Sequence, residues 1–141
     1  MELAPIMPSV SRLERSSKLK NMEEEHKIIN TSKAFALRII KLYKYLTSEK
    51  KELVLSKQIL RSGTSIGANV QESQDAQSSA DFISKLSIAL KEAKETRYWL
   101  ELLHESEYIS EKQFESLNND NGILIGTLIK IIKTVKGKAK L

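Results

Sequence analysis

No proline follows Pro8 in this 141-residue chain, and from residue 22 onward the apolar residues recur at helical spacing. Proline and glycine supply the fixed and left-handed backbone angles on which tight turns depend. A chain with only two prolines and five glycines therefore lacks the turn chemistry of a β-sandwich or barrel. Four stretches keep a period near 3.6. In the first, Ile28, Phe35, Ile39, Leu42 and Leu46 share a face, and the stretch breaks at Thr47-Ser48. The second runs from about Glu52 to Asp75 with Leu55, Ile59, Ile66 and Val70 aligned, and breaks at Gln77-Ser78-Ser79. Ser78 with Asp81 resembles a helix cap and opens the third, in which Phe82, Leu86, Ala89, Ala93, Thr96, Leu100 and Leu103 form the most regular stripe. Ser110-Glu111-Lys112-Gln113 reads as a capping box for the fourth, with Phe114, Leu117, Asn121, Leu124, Leu128, Ile131 and Val135 inward. Short loops force consecutive helices antiparallel, so the expected fold is all-α: an up-down-up-down four-helix bundle. Its expected limits are 22–136, after an aperiodic, mobile leader at 1–21 and before a basic tail at 137–141.

The formal net charge of +5 is unevenly placed. Residues 1–21 hold four basic and two acidic residues, and 130–141 hold five lysines and no acid, whereas 22–129 hold fourteen basic and sixteen acidic residues. Lys130, Lys133, Lys136, Lys138 and Lys140 fit two readings. They complement the negative end of a helix dipole, or they form a patch for RNA or DNA, whose phosphates such clusters attract. Lacking cysteine, the chain has no disulfide and no thiolate metal site. No run approaches the roughly 20 apolar residues of a membrane span, and no secretion signal is evident, so no membrane partner and a cytoplasmic location are expected.

The second stretch contains Arg61-Ser62-Gly63-Thr64-Ser65-Ile66-Gly67-Ala68-Asn69-Val70. Two helix-interior glycines cost about 1 kcal/mol each relative to alanine, so something must compensate. Gly63, Thr64, Gly67 and Ala68 form a small-residue face that another helix can approach closely. Either a helix of the same chain uses it, or it is a subunit interface. Beside it lies a polar stripe of Arg61, Ser65, Asn69 and Glu72, which is a solvated face or, together with Trp99, a contact for a partner.

Leu55 through Glu72 resembles the signature of bacterial four-helix-bundle proteins labelled as intervening-sequence proteins of large-subunit ribosomal RNA genes. The likeness continues through Asp81-Phe82, Leu86 to Ala93, and Tyr98-Trp99-Leu100, and spans about Ile28 to Lys136. The resemblance implies a homopentameric ring of up-down bundles, with no catalytic residues and no cofactor. It also implies a distant relation to the accessory protein of diversity-generating retroelements, which binds a reverse transcriptase and nucleic acid. On this basis the chain is expected to be a non-enzymatic scaffold for RNA, DNA or a reverse transcriptase.

Catalytic alternatives are thin. Glu101-x-x-His104 and Glu23-x-x-His26 have di-iron spacing, but the fourth stripe offers only Asn121 as a polar inward residue, so no metal site is expected. Gly63 and Gly67 follow no strand and precede no Gly-Lys-Ser/Thr, which excludes a phosphate loop. Arg97 and His104 share a helix face at the spacing of small all-α ribonucleases, where arginine steadies phosphate charge and histidine moves protons. That is the enzymatic alternative; a purely structural oligomer is the other.

Overall fold

The computed structural model describes residues 11–139. It comprises helices α1 (Arg12–Ser48), α2 (Leu55–Ser73), α3 (Ser79–Glu105) and α4 (Glu111–Ala139), with no strand among the described residues. Each helix packs on two others: α1 on α2 and α4, and α3 on α2 and α4. The expected four-helix bundle is thus present in one chain.

The inward stripes are those read from the sequence. Ile28, Phe35, Ile39, Leu42 and Leu46 are all buried, as are Ile59, Ile66 and Val70. From α3, Leu86, Ala89, Ala93, Thr96, Leu100 and Leu103 are buried, and from α4 Leu117, Asn121, Leu124, Leu128 and Ile131. Leu55, Phe82, Phe114 and Val135 close the ends of these stripes as half-buried residues packed on the core. Burial of these side chains, at roughly 1.5–3 kcal/mol each for the larger ones, holds the helices together.

Local caps set the boundaries. Ser78 Oγ accepts the Asp81 amide at 3.0 Å. Ser110 and Gln113 form the full reciprocal box, at 2.8 and 3.1 Å. Helix α2 begins at Leu55 rather than Glu52, because Glu52 acts as the cap: its carboxylate accepts the amides of Val54, Leu55 and Ser56 at 3.0, 2.9 and 2.6 Å. Burial to 8% exposure works against the charged form. The three amides and the Ser56 hydroxyl outweigh it, and hold the Glu52 carboxyl below its ordinary value.

Helix α1 starts ten residues before the expected boundary at 22. Ser11 and Glu14 form a reciprocal capping box, and Arg12 to Lys20 are exposed throughout, Ile28 being the first fully buried residue of the helix. A helix with no buried face leaves no apolar period, which is why this stretch reads as aperiodic. At the other end, residues 137–139 continue α4 rather than opening a separate tail. Residues 1–10, and with them nearly half of the expected leader, lie outside the described residues, as does Lys140.

Candidate nucleic-acid interface

Antiparallel packing of α1 on α4 lays the start of one beside the end of the other, so the two basic ends of the chain meet at one pole of the bundle. Asn21, Glu24 and Glu25 of α1 share a crevice with Ile131, Thr134, Val135 and Lys138 of α4. Lys130 Nζ lies 2.5 Å from Glu24 Oε1. This pair ties the helices together and neutralises Lys130, which separates it from Lys133, Lys136 and Lys138; all three of those are exposed. Arg12, Arg15, Lys18 and Lys20 extend the positive charge along the start of α1, all exposed, with Glu14 among them and Glu23 and Glu25 just beyond. An open cavity of about 580 Å³ lies at the same pole, lined in part by Glu25, Phe82, Val135 and Lys138.

The positive charge does not stop at the pole. Between Glu25 and Glu49, α1 carries Lys27, Lys33, Arg38, Lys41 and Lys44 and no acid. Helix α1 holds nine basic and four acidic residues and α4 five and three, whereas α3 holds four basic and five acidic. The α1–α4 side of the bundle is therefore its cationic side. Low-dielectric walls and clustered like charge attract a polyanion to such a side.

The small-residue face of α2 is used inside the chain. Gly63 and Gly67 are buried, and a Cβ on Gly63 would lie 2.7 Å from Ile39 Cγ1, while one on Gly67 would lie 3.3 Å from the Ser32 carbonyl oxygen. Helix α1 occupies the face, so these two glycines are not at a subunit surface; of the four expected interface residues only Thr64 and Ala68 reach solvent. The Thr64 hydroxyl is spent on the Leu60 carbonyl at 2.6 Å.

The polar stripe expected to meet a partner largely zips α2 to α3. Arg61 pairs with Glu92 at 3.2 Å and with Glu95. Glu95 also accepts Trp99 Nε1 at 3.0 Å, which brings Arg61 and Trp99 into one cluster. Tyr98 stands edge-on to Trp99 with centroids 5.1 Å apart and is 53% exposed, so the aromatic edge of the cluster faces solvent. Glu72 pairs with Lys85 at 3.1 Å. Ser65 and Asn69 turn back onto carbonyls of their own helix.

Arg97 is half-buried on α3, and His104 stacks on Phe114 with centroids 4.5 Å apart and planes 11° from parallel. Seven residues separate them by about 10 Å along the helix axis. Among the described residues no cluster of three His, Asp or Glu side chains could hold a metal, and no helix is long and apolar enough to cross a membrane.

Sequence reading missed the α1–α4 clasp. Arg38 donates to Asp120 Oδ2 at 2.5 Å and to Ser116 Oγ at 2.8 Å. Its partners lie about eighty residues away, and no local pattern announces such a contact.

Residues 24–130 match a family model described as 23S rRNA-intervening sequence protein. The chain is also similar to a crystal structure from Bacteroides thetaiotaomicron, described as a protein of unknown function from the S23 ribosomal protein family. Identity is 59% and the TM-score 0.78, over 78% of this chain and 98% of that one. No curated protein matches. The cationic pole falls largely beyond the family match, since Arg12 to Lys20 precede residue 24 and Lys133 to Lys138 follow residue 130.

Proposed function

The chain belongs to the 23S rRNA-intervening sequence protein family, and from that premise we propose that it is a non-enzymatic, oligomeric binding protein that holds nucleic acid at its cationic pole. The observation that carries this reading is the packing of Asn21, Glu24 and Glu25 against the end of α4, which puts the helix start that bears Arg12, Arg15, Lys18 and Lys20 at the same end of the bundle as Lys133, Lys136 and Lys138. Phosphate contacts by such residues give sequence-independent affinity that falls steeply with salt. The family's label, which refers to ribosomal RNA, is compatible with an RNA ligand. The distant relation to the retroelement accessory protein that the family resemblance implies suggests a reverse transcriptase as the candidate protein partner, and the solvent-facing edge of Tyr98 and Trp99 is the surface offered to it.

The pentameric ring implied by the family resemblance belongs to the same reading. Five copies of the pole would raise avidity for a polyanion without any single strong site. Leu37 and Ile123, 55% and 50% exposed, are apolar residues left uncovered in one chain and available to a neighbouring copy. Light scattering is expected to give about 80 kDa, against 16.0 kDa for one chain; a monomer at all concentrations refutes the ring.

The decisive experiment is reversal of Lys133, Lys136 and Lys138 to glutamate, with RNA and DNA binding followed by anisotropy across a salt series. Affinity should fall at low salt and the salt slope should flatten. Unchanged affinity and slope refute the pole as the binding site. Wild-type protein should leave RNA intact; robust cleavage lost in His104→Ala would replace this reading with the nuclease one.

A further inference from the structure

Helices α1 and α4 leave between them a groove of about 390 Å³, lined by Arg38, Lys41, Leu42, Tyr45, Gln113 and Leu117. Its apolar part rests on the core, because Leu42 and Leu117 are 7% and 6% exposed and Tyr45 is half-buried against the same cluster. Its charged part is cationic, and no carboxylate lines it. The guanidinium of Arg38 is committed to Asp120 and Ser116, whereas Lys41 is exposed and enters none of the ion pairs among the described residues. Lys50 Nζ stands over the Tyr45 ring, 5.9 Å from its centroid, and lines the neighbouring cavity with Glu105, Glu107 and Glu111 rather than this groove. The amide of Gln113 is oriented by the α4 cap: its Oε1 accepts the Ser110 N–H at 2.8 Å, which leaves Nε2 free to donate.

An aromatic ring on an apolar base, a flanking ammonium group and one fixed donor are what a nucleotide asks of a protein. Every nucleobase has a π-face and a hydrogen-bond acceptor on its edge, so recognition of this kind tolerates sequence. The groove also lies on the cationic side already described, roughly 30 Å along α1 from the Glu24–Lys130 pair, within reach of one extended strand. We propose that the α1–α4 groove is a nucleobase subsite, in which an unstacked base of single-stranded nucleic acid lies against Tyr45 and presents an acceptor to Gln113 Nε2, while its phosphate meets Lys41. The inference rests on the nucleic-acid reading above and narrows it to single strands, because the bases of a duplex are stacked inside and cannot enter a groove of this kind.

The full chain is titrated by anisotropy with a single-stranded RNA, a single-stranded DNA and a duplex of equal length. Single strands bind more tightly than the duplex. Tyr45→Ala weakens single-strand binding by about ten-fold, in the range of base–aromatic stacking, and leaves duplex binding unchanged. Tyr45→Phe retains wild-type affinity. Gln113→Glu keeps the cap, because a carboxylate still accepts the Ser110 N–H, but removes the donor and repels phosphate. It therefore weakens single-strand binding, and it serves as the test if Tyr45→Ala fails to fold. A loss confined to RNA or to DNA supports the subsite and identifies its source. Equal effects on duplex and single strand, or none from either variant, overturn the subsite and leave the pole standing. Absence of binding to all three by the wild type overturns both.

Discussion

Replacing Gly63 by alanine sets a helix-propensity gain against a steric cost, and the structure decides which wins. The new methyl would lie 2.7 Å from Ile39 Cγ1, 2.8 Å from Cγ2 and 3.2 Å from Cβ. Ile39 is completely buried, and a β-branched side chain in a helix holds one χ1 rotamer, so neither γ-carbon can swing aside. Alanine improves helix propensity over glycine by about 1 kcal/mol. Overpacking typically costs about 1–3 kcal/mol, and contact with two rigid carbons belongs at the upper end. The expected net effect is a loss of about 1–2 kcal/mol. Gly126 is the control: it is exposed with nothing within 4 Å of a built Cβ, so Gly126→Ala should gain about 1 kcal/mol. Ile39→Ala removes both γ-carbons at a cost of about 2–5 kcal/mol. In that background Gly63→Ala should become neutral or stabilising, which the double-mutant cycle records as coupling. Urea unfolding at one fixed protomer concentration measures all four variants, with an unchanged m-value as the check on comparability. If Gly63→Ala stabilises as much as Gly126→Ala, close approach of α1 is not the reason for this glycine.

Two further perturbations test the helix ends. The Glu52 carboxyl is held below its ordinary value of 4.5, so the stability it contributes is complete above that value and drains away as pH falls through the lower folded-state value. Thermal melts at descending pH should show this loss, and Glu52→Gln, worth about 1 kcal/mol as a cap loss at neutral pH, should flatten the dependence in the acid range; an unaltered pH profile refutes the cap. Glu107 sits at φ 67° where α3 ends, with its amide on the His104 carbonyl at 3.0 Å and the Tyr108 amide on Leu103 at 2.9 Å. That is the position glycine usually fills in a Schellman ending, so Glu107→Gly should raise stability by on the order of 1 kcal/mol in denaturant unfolding, and a loss would show that the glutamate side chain is needed there.

Which residues face inward was legible because burial in a bundle repeats with the helix itself. Ile28, Phe35, Ile39, Leu42 and Leu46 mark their face within one local window, and all five are buried. The caps at Ser78 and Ser110 were legible for the same reason, each joining residues three apart. The start of α1 was not legible, since Arg12 to Lys20 are all exposed and a helix exposed all round leaves no apolar stripe. For Gly63 and Gly67 the spacing revealed a smooth face but not its occupant. That became known only when α1 was found against it, with Ser32 and Ile39 at the contact.

The charges divide in the same way. Sequence alone determined that the positive residues concentrate at the two ends of the chain, because counting requires no fold. Their convergence on one pole, the withdrawal of Lys130 by Glu24, and the placing of Tyr45 beside Gln113 were decided by the antiparallel packing of α1 on α4. Periodicity acts over a few residues and states only that a face is covered. What covers it, and which side chains from the far end of the chain then lie alongside, depends on contacts between segments some seventy to a hundred residues apart, and these form only when the helices pack.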